Sequence, residues 1–261
     1  MKKFKFVFFL SIPLFTLWFC TSSSSVKEKE PLTNMQAETI KPGMKHIAVL
    51  ELFTSQGCSS CPSADRLLDT YSNKENVIAL SFHVDYWNRL GWKDPYSSSA
   101  YTDRQYKYAS SLNSSVYTPQ LVINGENEMV GSDAKRIDNT LKKVWSQDSN
   151  ADVSIEDITV NNGKATVNYT INESAGNVIL NIALVEKKTV TAIRSGENGG
   201  VTLSGTNVVR NFKTLNNPAD GKGSYVIDIP KDIDQKNMSV VLYLQQSDNK
   251  IIAADKTEAS M

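Results

Sequence analysis

The stretch His46 to Thr54 (HIAVLELFT) is largely apolar and rich in β-branched and aromatic residues, the pattern of a buried strand, and it runs into the turn residues Ser55, Gln56 and Gly57. A helical period follows. Ala64, Leu67, Leu68 and Tyr71 recur at i, i+3, i+4 and i+7 on one face, with Asp65 in the first turns, and Asn76 to Val84 (NVIALSFHV) then reads as a second buried strand. A strand, a helix and a strand in that order predict a βαβ unit with a parallel pair. Ser97 to Leu112 is a polar amphipathic helix. Gln120–Asn124 and Asn127–Val130 flank a short turn at Gly125-Glu126 as a hairpin, and Lys135–Trp145 closes the series as a helix with Ile137, Leu141, Val144 and Trp145 inward.

After Asn150 the period changes to two. Segments near 153–160, 164–172, 177–186, 206–214, 224–229 and 238–246 alternate apolar and polar residues between Asn-Gly, Gly-Asn, Asn-Pro and Asp-Asn turns. That pattern predicts antiparallel strands packed as a sandwich. The expected organisation is therefore an α/β domain over 45–149 followed by an all-β domain over 150–261, an α/β plus all-β fold class.

The first 44 residues belong to neither. Lys2, Lys3 and Lys5 precede an almost uncharged apolar run from Phe6 to Cys20, the layout of an export signal over 1–20, too short for a comfortable membrane span. Leu17-Trp18-Phe19-Cys20 resembles a lipoprotein processing site, so three outcomes stay open: a lipid tether on Cys20, plain secretion after cleavage, or a retained anchor. Each leaves the folded part outside the cytoplasm, in the periplasm, on the outer membrane or secreted. Residues 21–44, rich in Ser, Lys, Glu and Pro, read as a flexible tether.

Composition narrows the chemistry. Lys plus Arg and Asp plus Glu are 28 each, so no net field draws the chain to nucleic acid, which is excluded as an expected partner. There are three cysteines. With Cys20 in the leader, Cys58 and Cys61 remain and answer to each other; zinc would need two further ligands that do not cluster nearby.

Cys58-Ser59-Ser60-Cys61-Pro62 lies between a predicted strand and a predicted helix. The free N–H groups and positive potential of a helix N-terminus favour a thiolate at Cys58, making it the attacking nucleophile, with Cys61 one turn on as the resolving thiol. Pro62 removes an amide that the first turn leaves unpaired anyway. A static disulfide is the alternative reading.

In this arrangement the chain resembles the thioredoxin superfamily, in which a cis-proline faces the dithiol and the residue before it pairs with an extended substrate. The resemblance implies those roles for Pro119 and Thr118. A closer resemblance is to the domain of unknown function 1223 family, exported thioredoxin-like proteins of bacteria. It rests on Glu51-Leu52-Phe53-Thr54-Ser55-Gln56-Gly57-Cys58-Ser59-Ser60-Cys61-Pro62, His83-Val84-Asp85-Tyr86-Trp87, Leu90-Gly91-Trp92-Lys93-Asp94-Pro95, Tyr117-Thr118-Pro119-Gln120, Gly196-Glu197-Asn198 and Asn207-Val208-Val209-Arg210. The fold then expected is a thioredoxin-like domain followed by an antiparallel β-sandwich domain.

Other residues extend the candidate site. Glu51, on the strand leading to the dithiol, either relays the proton of Cys61 or pairs with a basic residue, and one residue of register decides which. His83 and Asp85 share a strand face and either ligate copper or zinc with the thiols or brace the following loop. Tyr86, Trp87, Trp92, Pro95 and Tyr96 form an aromatic loop that covers the dithiol or plugs a domain junction, with Arg104 and Gln105 expected to hydrogen-bond it. The expected activity is thiol–disulfide exchange on a protein thiol or disulfide, with a separate redox partner and no cofactor or metal. The rival is a non-catalytic metal- or protein-binding module of the envelope.

Overall fold

The computed structural model describes Met1 and residues 35–36, 47–147, 151–172, 178–218 and 221–257. The expected leader, its Cys20 and nearly all of the expected tether lie outside them.

The elements follow the hydrophobic pattern closely through residue 144. They are β1 (Met35–Gln36), β2 (Ala48–Thr54), α1 (Cys61–Ser72), β3 (Val77–His83), α2 (Ser99–Ser111), β4 (Gln120–Ile123), β5 (Asn127–Val130) and α3 (Ala134–Val144). Local chemistry fixes two of the helix starts: Ser98 accepts from Ala100 N ahead of α2, and Asp133 accepts from Arg136 N ahead of α3. Strands then dominate: β6 (Asp152–Asn161), β7 (Lys164–Asn172), β8 (Val178–Ala192), β9 (Thr202–Asn216), β10 (Gly221–Asp228), β11 (Met238–Gln246) and β12 (Ile251–Lys256).

The result is a mixed α/β fold with one large, mostly antiparallel sheet and few helices. Eight strands run in the order β12-β11-β8-β9-β3-β2-β4-β5, and four more form a second sheet, β1-β6-β7-β10. Among the described strands only β2 with β3 and β3 with β9 are parallel. The change of period near 150 suggested a sandwich built by itself, yet β8, β9, β11 and β12 continue the sheet that β2 and β3 begin, joined at Ser81 opposite Val208.

Strand parity divides the core. Val49, Phe53, Leu80 and Phe82 meet Tyr101 and Tyr108 of α2 together with Val185, Val241 and Tyr243 of the later strands. The opposite face is shared. At one end Leu50, Leu52 and Ala79 pack on Ala64, Leu68 and Tyr71 of α1 and Ile137 and Leu141 of α3; at the other, Leu180, Ile182, Val240 and Leu242 pack on Ile155, Val167 and Ile171 of the second sheet.

One departure from a compact layered plan positions the candidate site. β8 and β9 pair along their whole length, from Ile179 opposite Asn216 to Ala192 opposite Thr202, whereas β11 follows β8 only as far as Glu186. The remainder, from Lys187 to Thr206, is a two-stranded arm. It lies along α1, where Lys188 Nζ and Thr206 Oγ1 both bond Asp69 Oδ1, the latter at 2.7 Å.

Candidate functional site: a disulfide at the start of a helix

β2 ends at Thr54 and α1 begins at Cys61, so both cysteines fall in the turn that leads into the helix. They are joined as a disulfide, with Cα atoms 5.4 Å apart. The turn is wound tightly: Cys58 N donates to Ser55 O at 3.2 Å, Gly57 N to Ser55 Oγ at 3.1 Å, and Cys61 N to Cys58 O at 3.3 Å. Ser59 and Ser60 are exposed, but Cys58 and Cys61 are each 0% exposed. Three segments distant in sequence gather around the turn.

The first is Thr118-Pro119, joined by a cis peptide bond and ending at β4. Pro119 O accepts from Gly131 N at 2.9 Å. Gly131 is obligatory there because a Cβ would lie 2.6 Å from Leu52 Cδ1, 3.1 Å from Ala64 Cβ and 3.4 Å from Pro119 Cβ, so the proline, β2 and the first turns of α1 converge on one point. The second is the loop after β3. Trp87 Nε1 donates to Thr118 Oγ1 at 2.8 Å, and its Cβ would stand 3.3 Å from a Cβ at Gly57, so this indole spans the interval between the dithiol turn and Thr118. Trp92 Nε1 donates to Gln56 Oε1 at 3.1 Å.

The third is the tip of the arm. Asn198 Nδ2 donates at 2.9 Å to both Gln56 O and Cys58 O, and Glu197 Oε2 accepts from Ser59 N at 3.0 Å. Ser195 Oγ ties the same tip to Gly91 O at 2.6 Å. The dithiol is therefore assembled from the βαβ unit, the aromatic loop and the far end of a ribbon more than a hundred residues downstream.

Ionisable groups gather beneath it. His83 Nδ1 and Asp94 Oδ2 pair at 2.7 Å, and Gln56 N donates to the same oxygen at 2.8 Å. Burial alone would lower the His83 pKa, but the charge and hydrogen bond of Asp94, with Asp65, raise it above its ordinary value. Burial opposes ionisation of Asp94 too, yet His83 and the Gln56 and Tyr96 amides hold that carboxyl below its usual range. Asp65 differs. Burial pushes its carboxyl up to about 6, Asp94 adds to the rise, and His83, Thr54 and Arg66 oppose it. Thr54 Oγ1 donates to Asp65 Oδ2 at 3.2 Å. Asp65 is four residues after Cys61 in α1, the spacing at which two helix positions share a face.

Glu51, the carboxylate that the sequence suggested for the Cys61 proton, lies elsewhere. Parity sends Glu51 the other way, with Val49 and Phe53 and away from α1. There it is wholly buried and accepts from Arg104 Nε at 2.8 Å, Tyr243 OH at 2.8 Å and Tyr108 OH. Glu51 is thus paired with a basic residue, the alternative that the sequence left open for it. The only advance signal for Asp65 was its spacing of four from Cys61.

His83 and Asp85 also separate. Asp85 Oδ1 accepts from Thr102 Oγ1 at 2.6 Å while His83 turns to Asp94, and among the described residues no cluster of three His, Cys, Asp or Glu side chains is arranged around a common point for a metal ion. Each is held by a residue of the segment that follows β3. Of the α2 pair expected to hold the aromatic loop, Gln105 accepts from Tyr86 OH at 3.3 Å, but Arg104 is committed to Glu51.

No curated protein matches the chain. A crystal structure of a protein from Agrobacterium tumefaciens is 28% identical, with a TM-score of 0.63 over 83% of this chain and 96% of that one. HBP35 of Porphyromonas gingivalis is 17% identical, with a TM-score of 0.57 over 84% of this chain and 76% of its own, a likeness of fold alone. Residues 49–245, which carry the dithiol turn, the aromatic loop, the Thr118-Pro119 turn and the arm, match the family described as "Protein of unknown function (DUF1223)", and the chain belongs to that family.

Proposed function

We propose that this chain is an exported thiol–disulfide oxidoreductase, built on a thioredoxin-like unit extended by a β-sandwich that shares its sheet. The observation that carries the reading is the Cys58–Cys61 disulfide at the turn from a buried strand into a helix, with its two exposed serines. Export rests on the basic and apolar pattern of the first 20 residues.

In the oxidised form the protein is an electron acceptor. A substrate thiolate attacks Cys58 Sγ, the Cys58–Cys61 bond breaks, and Cys61 leaves as a thiolate that takes a proton from Asp65. The second substrate thiol, once deprotonated, attacks the substrate sulfur of the mixed disulfide and releases Cys58. Two electrons pass from a substrate dithiol to the protein, and the substrate leaves with a disulfide. The reverse sequence starts with the Cys58 thiolate on a substrate disulfide. Asp65 suits either direction because a carboxyl near 6 exchanges protons close to neutral pH.

Full burial of both cysteines supports a second reading, a static disulfide that only stabilises the turn. One experiment separates them. Titrating the folded full chain with glutathione should open and reclose the bond below the unfolding transition, and a Cys61→Ser variant in an envelope extract should retain partners through Cys58. A bond that opens only on unfolding would overturn the redox reading.

A further inference from the structure

The arm does more than cover the dithiol, because its tip supplies what the start of α1 lacks. Ser60, at the helix boundary, makes no side-chain capping bond. The acceptor at the adjacent Ser59 amide is instead the Glu197 carboxylate, 138 residues away in sequence and 3.0 Å from the nitrogen. Next to it, Asn198 holds the Cys58 carbonyl. A negative charge is thus docked on the backbone immediately beside Cys58, in the positive region at a helix start that would otherwise favour a thiolate.

We infer that Glu197 is a positioning residue that sets the redox poise of the dithiol: its carboxylate disfavours the Cys58 thiolate, keeps the disulfide the preferred state, and makes the reduced protein a stronger reductant. This rests on the oxidoreductase reading and deepens it. In the oxidised state no charge opposes the docked carboxylate, and the Ser59 hydroxyl and amide hold that carboxyl below its usual range. When Cys58 becomes a thiolate, two negative charges compete for the same amides and the tip is repelled. Release of the tip and exposure of the nucleophile therefore accompany reduction.

Other charges near the dithiol lie on different sides. Asp65 is on α1, and His83 with Asp94 lies beneath the turn. Arg89, Lys93 and Arg194, in the covering segments, are exposed. A single substitution at Glu197 leaves all of these in place.

The test is Glu197→Gln, which keeps an oxygen for the Ser59 amide and removes the charge from an exposed side chain, so folding is not at risk. At low salt, pH-dependent alkylation of the reduced full chain should show the Cys58 pKa falling by about half to one unit. The equilibrium with glutathione should move roughly three- to tenfold toward the dithiol, the upper end corresponding to about 30 mV. Both differences should shrink at about 1 M salt, where charges a few ångströms apart are screened. Ser195→Ala removes one anchor of the same tip without altering charge, and should lower the Cys58 pKa by less than Glu197→Gln does. Equal pKa values for wild type and Glu197→Gln, or a shift that salt does not reduce, would overturn the inference while leaving the oxidoreductase reading intact. A wild-type disulfide that glutathione cannot open in the folded protein would remove both.

Discussion

Replacing Arg104 by methionine should destabilise the protein more than any single change at the dithiol, and the comparison with Glu51→Gln tests which carboxylate serves the sulfurs. Glu51 has no solvent access; its oxygens are held by Arg104 Nε, Tyr108 OH and Tyr243 OH. Arg104→Met leaves that carboxylate with two phenols and no counter-charge, a loss of about 3–5 kcal/mol for a buried pair broken on one side. Glu51→Gln strands the cation instead. The Arg104 side chain keeps 13% exposure, bonds to Gln245 Oε1 at 3.3 Å and stands 4.8 Å from the Phe212 ring centroid and 5.1 Å from that of Tyr108, so the cost should sit at or below the lower end of that range. The double variant removes both charges and should recover about 1–3 kcal/mol relative to the sum of the single changes. Urea unfolding of the four proteins measures the cycle, and Cys58 alkylation rates measured alongside should be equal in wild type and Glu51→Gln. The reasoning fails if Glu51→Gln unfolds like wild type but slows thiol chemistry, because Glu51 would then serve the dithiol despite facing α2.

Asp65→Asn should stabilise the protein above pH 6. The folded carboxyl binds a proton more readily than the ordinary value of 3.8 allows, so wild-type stability falls as pH rises from about 4 through 6, by at most about 3 kcal/mol for a rise of that size. The urea midpoints of the two proteins should converge below pH 4, and a gap that is constant with pH would refute the assignment. The His83–Asp94 pair has two limits. A histidine raised by its partner contributes in full below its unfolded value of 6.5 and loses that contribution as pH rises through the folded value; the lowered Asp94 contributes above 3.8 and loses its share as pH falls through its own folded value. His83→Gln should therefore flatten the alkaline decline, and an unaltered decline would count against the pair. Gly125→Ala should cost more than about 2 kcal/mol, because φ is +70° and a Cβ would lie 1.8 Å from Asn249 O; Gly163→Ala, at φ +73° with open space around it, should cost about 1–2 kcal/mol. Equal losses at the two glycines would show that the clash at 125 is not real.

Local pattern located nearly every element of the first 145 residues. The helical period placed Ala64, Leu68 and Tyr71 inward on α1, and the Gly125 turn joined β4 to β5 as expected. What pattern could not supply was pairing at a distance. β9 joins β3 at Ser81 and Val208, and neither residue carries a signal that its partner is more than a hundred positions away. The arm escaped for a related reason. From Lys187 to Thr206 the chain is polar and rich in glycine, because a ribbon that bonds to itself and lies on the polar side of α1 needs no apolar face. Its strands are held by backbone pairing and by Lys188, Thr191 and Thr206, of which the first two fall outside the segments whose alternation marks a strand. At the site, the cysteine pair was legible from its own spacing and the Thr118-Pro119 turn from the family resemblance, whereas the carboxylates were not. A strand alternates sides with every residue, so an error of one in register exchanges Glu51 for its neighbours; a helix returns to the same side after four, so Asp65 and Cys61 share a face of α1.

The same geometry offers the proposed exchange a route to a sealed disulfide. Enclosure by core packing would make the bond inert, since exposing it would require the layers around α1 to separate, at a cost comparable to global unfolding. The outermost cover is of another kind. Beyond Ile193, which is buried at the base of the tip, the segment from Arg194 to Gly200 presents only one other buried side chain, Asn198, and is attached by single hydrogen bonds. Those from Asn198 to Gln56 O and Cys58 O and from Ser195 to Gly91 O are worth about 0.5–1.5 kcal/mol each when water can replace them, so breaking these three demands about 1.5–4.5 kcal/mol, below the 5–15 kcal/mol typical of a whole domain. A segment held at that level opens without disturbing the layers beneath it. Burial of the sulfurs therefore sets the frequency with which a partner gains access, and the charge on Glu197 makes that frequency depend on the oxidation state of the bond being covered.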